Sequence, residues 1–340
     1  MKGMKAFEYV EARDLRHASQ MLGTEPGKAK ALAGGIDLLT EMQGRIIEPD
    51  RVVNLKSIRG LDTIRHERNG LHIGPLVTLA MIERDAAIRR DFTALAEAAH
   101  VVGSPQIRQI GTIGGNLCQR PRCWYYRDEA IICFKKGGTQ CYAMQEEGAN
   151  KYNAILGGGP SFIVHPSDCA PALVALDAVI RYGTGAGQAK ELPAEKFFVL
   201  PSERLRFENV LEPNELVEGI FIPHPKAGTR SAYLKFRERD SFDWALSAVA
   251  VAAQMDGNSI RDIRVVLGGV APKPWRSPEA EAALKGKPFS PGTANQAADA
   301  ALAAAKPLKQ NGYKVPLTKV LIRRAVELVA TGKEPVSPVV

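Results

Sequence analysis

Short apolar stretches and amphipathic stretches take turns along the first third of this chain. "AFEYVEA" (6–12) reads as a strand, "DLRHASQMLG" as a helix, "AKALAGG" as a short apolar strand and "IDLLTEMQGR" as a second helix. Together they make a compact β-α-β-α unit, and "DRVVNLKSI" adds a further strand. Next, "GLHIGPLVTLAMIERD" gives a strand and then a helix beginning near Thr78, and "DFTALAEAAHVVGSPQIRQIGTIGGN" gives a second helix closed by a glycine-rich turn. "SFIVHPSDCAPALVALDAVIRYG" reads as turn, helix and strand, and the strand in "ELVEGIFIPHP" stops at Pro223 and Pro225. From Arg230 the elements lengthen: "SAYLKFRER", "ALSAVAVAAQM" and "IRDIRVVLGGVAPKPWR" precede an alanine-rich helix around 294–305 and a final helix "LTKVLIRRAVELVA". That tail is expected to form a separate C-terminal domain, and no repeat with a period of roughly 20–50 residues is visible.

Composition narrows the class. At 340 residues the chain can bury a real core in roughly two or three domains. With 45% hydrophobic and 24% charged residues it is neither collagen-like, disordered nor a membrane protein, and no apolar run approaches the roughly 20 residues that span a bilayer. The start, "MKGMKAFEYVEARDL", has basic residues but no apolar segment of the kind a secretory signal needs. Cytoplasmic residence, or export to the periplasm on a partner's signal, is therefore expected.

A net charge of +8 suits an acidic ligand, an acidic partner or nucleic acid. The basic residues are scattered, however, with pairs such as Arg89-Arg90 and Lys135-Lys136 but no long run. Six scattered histidines and the absence of a Ser-His-Asp or H-E-x-x-H arrangement point away from hydrolytic chemistry.

Two features carry chemistry. "LAGGIDLL" and "GTIGGNL" each place paired glycines before an apolar segment at a helix start. There the backbone can approach an anion closely, and successive N–H groups can cradle a diphosphate. Neither is a G-x-G-x-x-G or a Walker sequence, so the residues alone point only to a dinucleotide. The second feature is a cysteine cluster: Cys118, Cys123, Cys133 and Cys141, with Cys169 further on. An odd number of cysteines, mostly clustered, reads as a metal site or reduced thiols rather than a disulfide framework. The spacing is neither a ferredoxin run nor a zinc ribbon. The intervening "WYYRDEAIICFKKGGTQ" makes a long loop, which needs a crosslink or packing to offset its closure entropy. A zinc-stabilised nucleic-acid-binding protein, stacking bases on "CWYYR", is the reading of another class, and it leaves both glycine runs unexplained.

Taken in order, "AGGIDLL", "GTIGGNLC", "HPSDCAPALVAL" and "YLKF" followed by "SAVAVA" resemble the FAD-binding medium subunits of the molybdenum hydroxylases. These serve the xanthine dehydrogenase, carbon monoxide dehydrogenase and aldehyde oxidoreductase enzymes. The resemblance implies an α+β chain: a two-part PCMH-type FAD-binding domain (1–56, then 57–225 with a cysteine-rich insertion at about 118–165). A CO dehydrogenase flavoprotein-like C-terminal α/β domain (226–332) would follow.

It further implies that Ala33, Gly34, Gly35, Ile36, Asp37 and Leu38 form a first pyrophosphate loop, and that Thr112, Gly114, Gly115 and Asn116 form a second. Gln119 would stand near the flavin, Asp168 would hold FAD through its carboxylate, Val217 would pack on the isoalloxazine and Lys235 would lie near the ring. Read without the resemblance, Asp168 is a helix cap and Val217 a core residue.

"RCWYYRD", "CFKKGGTQC" and "NKYNAILGGGP" resemble an insertion in a subset of the family, PaoABC-type aldehyde oxidoreductases and 4-hydroxybenzoyl-CoA reductase, that carries an extra [4Fe-4S] cluster. Cys123, Cys133 and Cys141 match that subset's cysteines. The subset's fourth cysteine falls near Ser161 here, so Cys118, with Cys169 as the alternative, is expected to complete the set. The implied role is electron transfer. Electrons pass from [2Fe-2S] centres of a small partner subunit through FAD to an external acceptor, while a molybdenum large subunit hydroxylates the substrate. In a 4-hydroxybenzoyl-CoA reductase the flow would run inward, toward molybdenum.

Overall fold

The computed structural model describes residues 3–333. The first two residues of the expected 1–56 unit lie outside them. The N-terminal unit is β1 (Glu8–Glu11), α1 (Leu15–Leu22), β2 (Ala29–Leu32), α2 (Ile36–Gln43) and β3 (Arg51–Asn54), with the strands in a parallel sheet of order β1-β3-β2. Asp14 caps α1 by accepting from the His17 N–H. At the head of α2, Gly35 takes the left-handed conformation (φ 80°) that an L side chain rarely adopts.

A five-stranded antiparallel sheet follows, ordered β4 (Ile64–Glu67), β5 (Gly70–Ile73), β8 (Leu216–Pro223), β6 (Val179–Gly183) and β7 (Lys190–Pro193). Between β5 and β6 run helices α3 (Leu79–Arg84), α4 (Ala86–Asp91), α5 (Thr93–His100), α6 (Pro105–Ile110) and α7 (Ile113–Leu117). They are followed by the short α8 (Trp124–Arg127) and by α9 (Cys169–Ala175), and a last short helix, α10 (Ala194–Phe197), lies between β7 and β8. The helix expected to begin near Thr78 is α3, and Thr78 caps it by accepting from the Met81 N–H. The second glycine run folds not as a plain turn but as α7, because Thr112 Oγ1 accepts from the Gly115 N–H.

The C-terminal sheet is antiparallel, β12 (Trp275–Arg276), β11 (Ser259–Gly268), β10 (Ser247–Asp256) and β9 (Thr229–Phe236), with β13 (Lys287–Pro288) beside β11. Helices α11 (Pro278–Leu284), α12 (Pro291–Leu302) and α13 (Lys314–Thr331) accompany it. The "SAVAVAA" of β10 explains its place: Ala248, Ala250 and Ala252 face the core shared with α9, while Val249, Val251 and Ala253 face the core of the helical layer. Successive strand side chains point to opposite faces, so a strand buried on both must be apolar at every position.

Side-chain hydrogen bonds and a buried ion pair hold the cysteine-rich segment. Asn150 donates to the carbonyls of Ala143 (3.0 Å) and Gly148 (3.1 Å) and exchanges hydrogen bonds with Gln310. Asn311 donates to the Asn153 carbonyl (3.0 Å), and Lys135 forms a buried pair with Glu208 (2.6 Å). Lys314, fully buried, donates to the carbonyls of Tyr152 (2.9 Å) and Gly269 (2.7 Å). Asn150, Asn311 and Lys314 thus fasten the segment to the C-terminal domain, and the Lys135–Glu208 pair fastens it to the FAD-binding domain.

Burial pushes the Lys314 ammonium down to about 7 from 10.5. Between those values the unfolded chain binds more protons than the folded one, so stability rises with pH across that window. Urea denaturation at steps from neutral pH to pH ~10 is expected to show this rise, and Lys314→Met to flatten it.

Candidate cofactor-binding site

The two glycine runs meet. A Cβ on Gly34 would lie 2.3 Å from the Ile110 carbonyl oxygen, and one on Gly115 would lie 3.1 Å from Thr112 Oγ1 and 4.0 Å from the Ala33 Cβ. Only residues without a side chain let the loops approach this closely. Between and beside them opens a cavity of about 450 Å³, within the range of cofactor sites. Ala33 through Leu38, Thr112, Gly115, Asn116, Gln119, Asp168 and Lys235 all line it. Gly114 is instead packed on Pro75, where an added Cβ would meet the carbonyl oxygen at 2.8 Å. Val217 sits in β8 within the hydrophobic core and is not among the lining residues, in keeping with the packing role its sequence context allowed.

The loops contribute differently. The first N–H groups of a helix have no partner within it, so Ile36, Asp37 and Leu38 offer donors to the cavity, and the positive end of α2 favours an anion there. In the second loop every N–H from Ile113 to Asn116 is already used, by Val77, Pro75, Thr112 Oγ1 and the Thr112 carbonyl. That loop supplies shape and a small-residue wall rather than free donors.

Charges around the cavity are tied in pairs. Asp37 accepts from the Arg120 N–H (2.7 Å), and its other oxygen binds Arg122 (2.8 Å) and Arg127 (2.8 Å), which joins the first glycine loop to the cysteine-rich segment. Arg122 also lies over the Trp244 ring at 4.5 Å. Asp168 does not cap α9; Ser167 does, accepting from the Ala170 N–H, and this frees the Asp168 carboxylate. Tyr233 donates to one of its oxygens (2.7 Å) and Lys235 to the other (2.8 Å), all three side chains being buried.

The sequence reading missed Lys30, Glu41, Arg120, Arg122 and Trp244, which also line the cavity. Burial lowers Lys30 and, together with the Asp37 charge, raises Glu41, whose Oε1 accepts from Tyr126 (2.5 Å). Nothing in local sequence marks these residues, because their partners lie far along the chain.

The cysteines are not assembled as expected. Among the described residues no group of three or more His, Cys, Asp or Glu side chains is placed to hold a metal ion. Cys118 lies in the cofactor cavity's wall, and burial pushes its thiol up to about 12. Cys169 is fully buried at the start of α9, and burial raises it further. Burial also raises Cys123, against hydrogen bonds from the backbone of Tyr125 and Tyr126.

Residues 5–225 match the FAD binding domain in molybdopterin dehydrogenase, and residues 231–329 match the CO dehydrogenase flavoprotein C-terminal domain. The chain belongs to the FAD-binding medium subunits of the molybdenum hydroxylase family. It is 36% identical over 319 residues to the aldehyde oxidoreductase FAD-binding subunit PaoB of Escherichia coli (strain K12), covering 93% of this chain and 96% of that one. It is 28% identical over 325 residues to the carbon monoxide dehydrogenase medium chain of Hydrogenophaga pseudoflava, covering 94% and 96%. The solved carbon monoxide dehydrogenase of that organism, lacking the Mo-pyranopterin moiety of its cofactor, superposes with a TM-score of 0.76 at 27% identity, covering 96% of this chain and 98% of that one.

As a medium subunit the chain is an oxidoreductase subunit and not the molybdenum catalytic subunit. The family match leaves the zinc-stabilised nucleic-acid-binding reading without support, and no helix among the described residues is long and apolar enough to cross a membrane.

Gly34→Ala is expected to weaken FAD retention roughly tenfold or more, since overpacking costs about 1–3 kcal/mol, and the flavin-to-protein absorbance ratio after dialysis reads it. Lys235→Met leaves Asp168 charged and buried with one partner fewer. It should destabilise the fold by about 3–5 kcal/mol in urea, with the Asp168→Asn/Lys235→Met double variant recovering part of the loss.

Proposed function

We propose that this chain is the electron-transfer subunit of a molybdenum-containing aldehyde oxidoreductase-type complex. Electrons would arrive from [2Fe-2S] centres of a small partner subunit and leave through FAD to an external acceptor. The observation that carries the reading is the cavity built jointly from both glycine loops, with the Asp168–Lys235 pair on its wall. The likeness to PaoB supports the aldehyde oxidoreductase class.

The flavin supplies the redox chemistry when bound. The chain's own residues bind and orient. The α2 amides and helix dipole would hold the diphosphate, and Gly115 and Asn116 line the same cavity. Lys235, anchored by Asp168, places a positive charge beside the cofactor. No side chain has to move a proton.

The [4Fe-4S] cluster that the resemblance implies enters this reading only through Cys123, Cys133 and Cys141. Its support is the resemblance of "RCWYYRD" and "CFKKGGTQC" to the cluster-carrying insertion. Because the described residues present no complete ligand group, no electron step is derived through a cluster.

The test is anaerobic. The purified chain should carry flavin absorption bands that an aldehyde bleaches only when the molybdenum and [2Fe-2S] subunits are present. A chain that stays colourless with FAD, or whose flavin is bleached by aldehyde without partners, overturns the proposal. Iron and acid-labile sulfide assayed on the same sample report separately on the cysteine segment.

A further inference from the structure

Along Ile113 to Asn116 every backbone N–H of the second glycine loop is spent inside the protein, so a donor from that stretch can come only from a side chain. Ile113 is apolar, and Gly114 and Gly115 have no side chain to offer. Asn116 remains: it lines the cofactor cavity and is only 7% exposed.

Hydrogen-bond accounting fixes which way its amide is turned. Ser167 is buried, and its Oγ accepts from the Ala170 N–H (3.0 Å) at the head of α9. The hydroxyl hydrogen goes to Asn116 Oδ1 (2.5 Å). Reversing the amide would turn an N–H toward Ser167 and leave the hydroxyl hydrogen with no acceptor among the described residues, which is costly for a buried group. The support behind the hydroxyl is itself held. The Ser167 N–H donates to Nδ1 of His165 (3.4 Å), whose ring meets Phe198 edge to face at 4.7 Å. On the loop side, the Asn116 carbonyl accepts from Gln119 Nε2 (3.1 Å). With its oxygen committed to Ser167, Asn116 keeps an Nδ2 group whose N–H donors have no hydrogen-bond acceptor among the described residues.

We propose that Asn116 donates through Nδ2 to an oxygen of the bound cofactor, and that Ser167 is the positioning residue that keeps this donor, rather than the amide oxygen, turned toward it. The inference rests on the FAD reading above and names a contact within it. FAD carries acceptor oxygens on its diphosphate and on its flavin ring, and either kind takes the same donor. One hydroxyl thereby serves two lining residues. Capping α9 leaves Asp168 free for Lys235, and donation orients Asn116.

The test is equilibrium dialysis of the full chain against FAD and against ADP-ribose, which has the diphosphate without the flavin. Asn116→Asp keeps the acceptor that faces Ser167 and replaces the donor with a second oxygen, so FAD affinity should fall about tenfold or more. A loss shared by ADP-ribose puts the accepting oxygen on the diphosphate; a loss confined to FAD puts it on the flavin. Ser167→Ala should weaken FAD about threefold, because the amide regains its second orientation, and Ser167→Thr, which keeps the hydroxyl, should restore affinity. Ser167→Ala also removes the α9 cap, so the double variant decides. With Asn116→Ala already present, Ser167→Ala should cost no further FAD affinity, while its loss of stability in urea persists. Unaltered FAD affinity in Asn116→Asp, or an equal effect of Ser167→Ala with and without Asn116→Ala, overturns the inference. Unsubstituted protein that takes up no FAD overturns the proposed function and this inference with it, whereas FAD-binding protein that gives either of those results overturns this inference alone.

Discussion

The buried pair of Asp168 and Lys235 is the contact on which the cofactor cavity depends. Asp168 immediately precedes α9 in the FAD-binding domain, and Lys235 lies on β9 of the C-terminal domain, so the pair also joins the two. A buried ion pair holds only if its geometry is good and its remaining lone pairs are met. Here Tyr233, two residues from Lys235 on the same face of β9, donates to the second carboxylate oxygen. The capping of α9 by Ser167 is what leaves Asp168 free for this role. Around the pair, the alanine face of β10 lets α9 approach closely, so small residues in one element set the position of a charge in another.

Much of the fold was legible because its elements announce themselves locally. The N-terminal β-α-β-α unit, the Thr78 cap and the long C-terminal strands follow from period and capping chemistry, and the glycine runs marked the cavity. What was not legible is non-local. β4, "IRHE", has three exposed residues and no apolar alternation, so nothing in the sequence marks it as a strand; its pairing with β5 does. The interleaved sheet order β4-β5-β8-β6-β7 joins strands far apart in the chain. Arg120 and Arg127 sit in an unremarkable "QRPRCWYYR", and their partner Asp37 precedes them by 83 and 90 residues.

The cysteine segment shows how a long irregular loop is held in place by side chains. A long irregular loop does require something to offset its closure entropy. The family resemblance implied an iron cluster for it. The structure meets the same requirement with two asparagines, a buried lysine donating to carbonyls and the Lys135–Glu208 pair. Side-chain amides are well suited to this, since each carries donors and an acceptor for backbone groups that no regular ladder satisfies.

Arg122 joins these threads. Burial pushes its guanidinium down to about 10, still charged at neutral pH, and three interactions fix it: the Asp37 carboxylate, the Gln119 side-chain oxygen (3.2 Å) and the Trp244 ring. A planar guanidinium can serve a carboxylate at its edge and an aromatic face at once, which a lysine ammonium cannot do in one fixed geometry. Through it the first glycine loop, the cysteine-rich segment and the β9–β10 connection are joined in the lining of the cofactor cavity. Redox transfer requires fixed distance and a fixed field rather than proton chemistry, and a wall of paired charges supplies both.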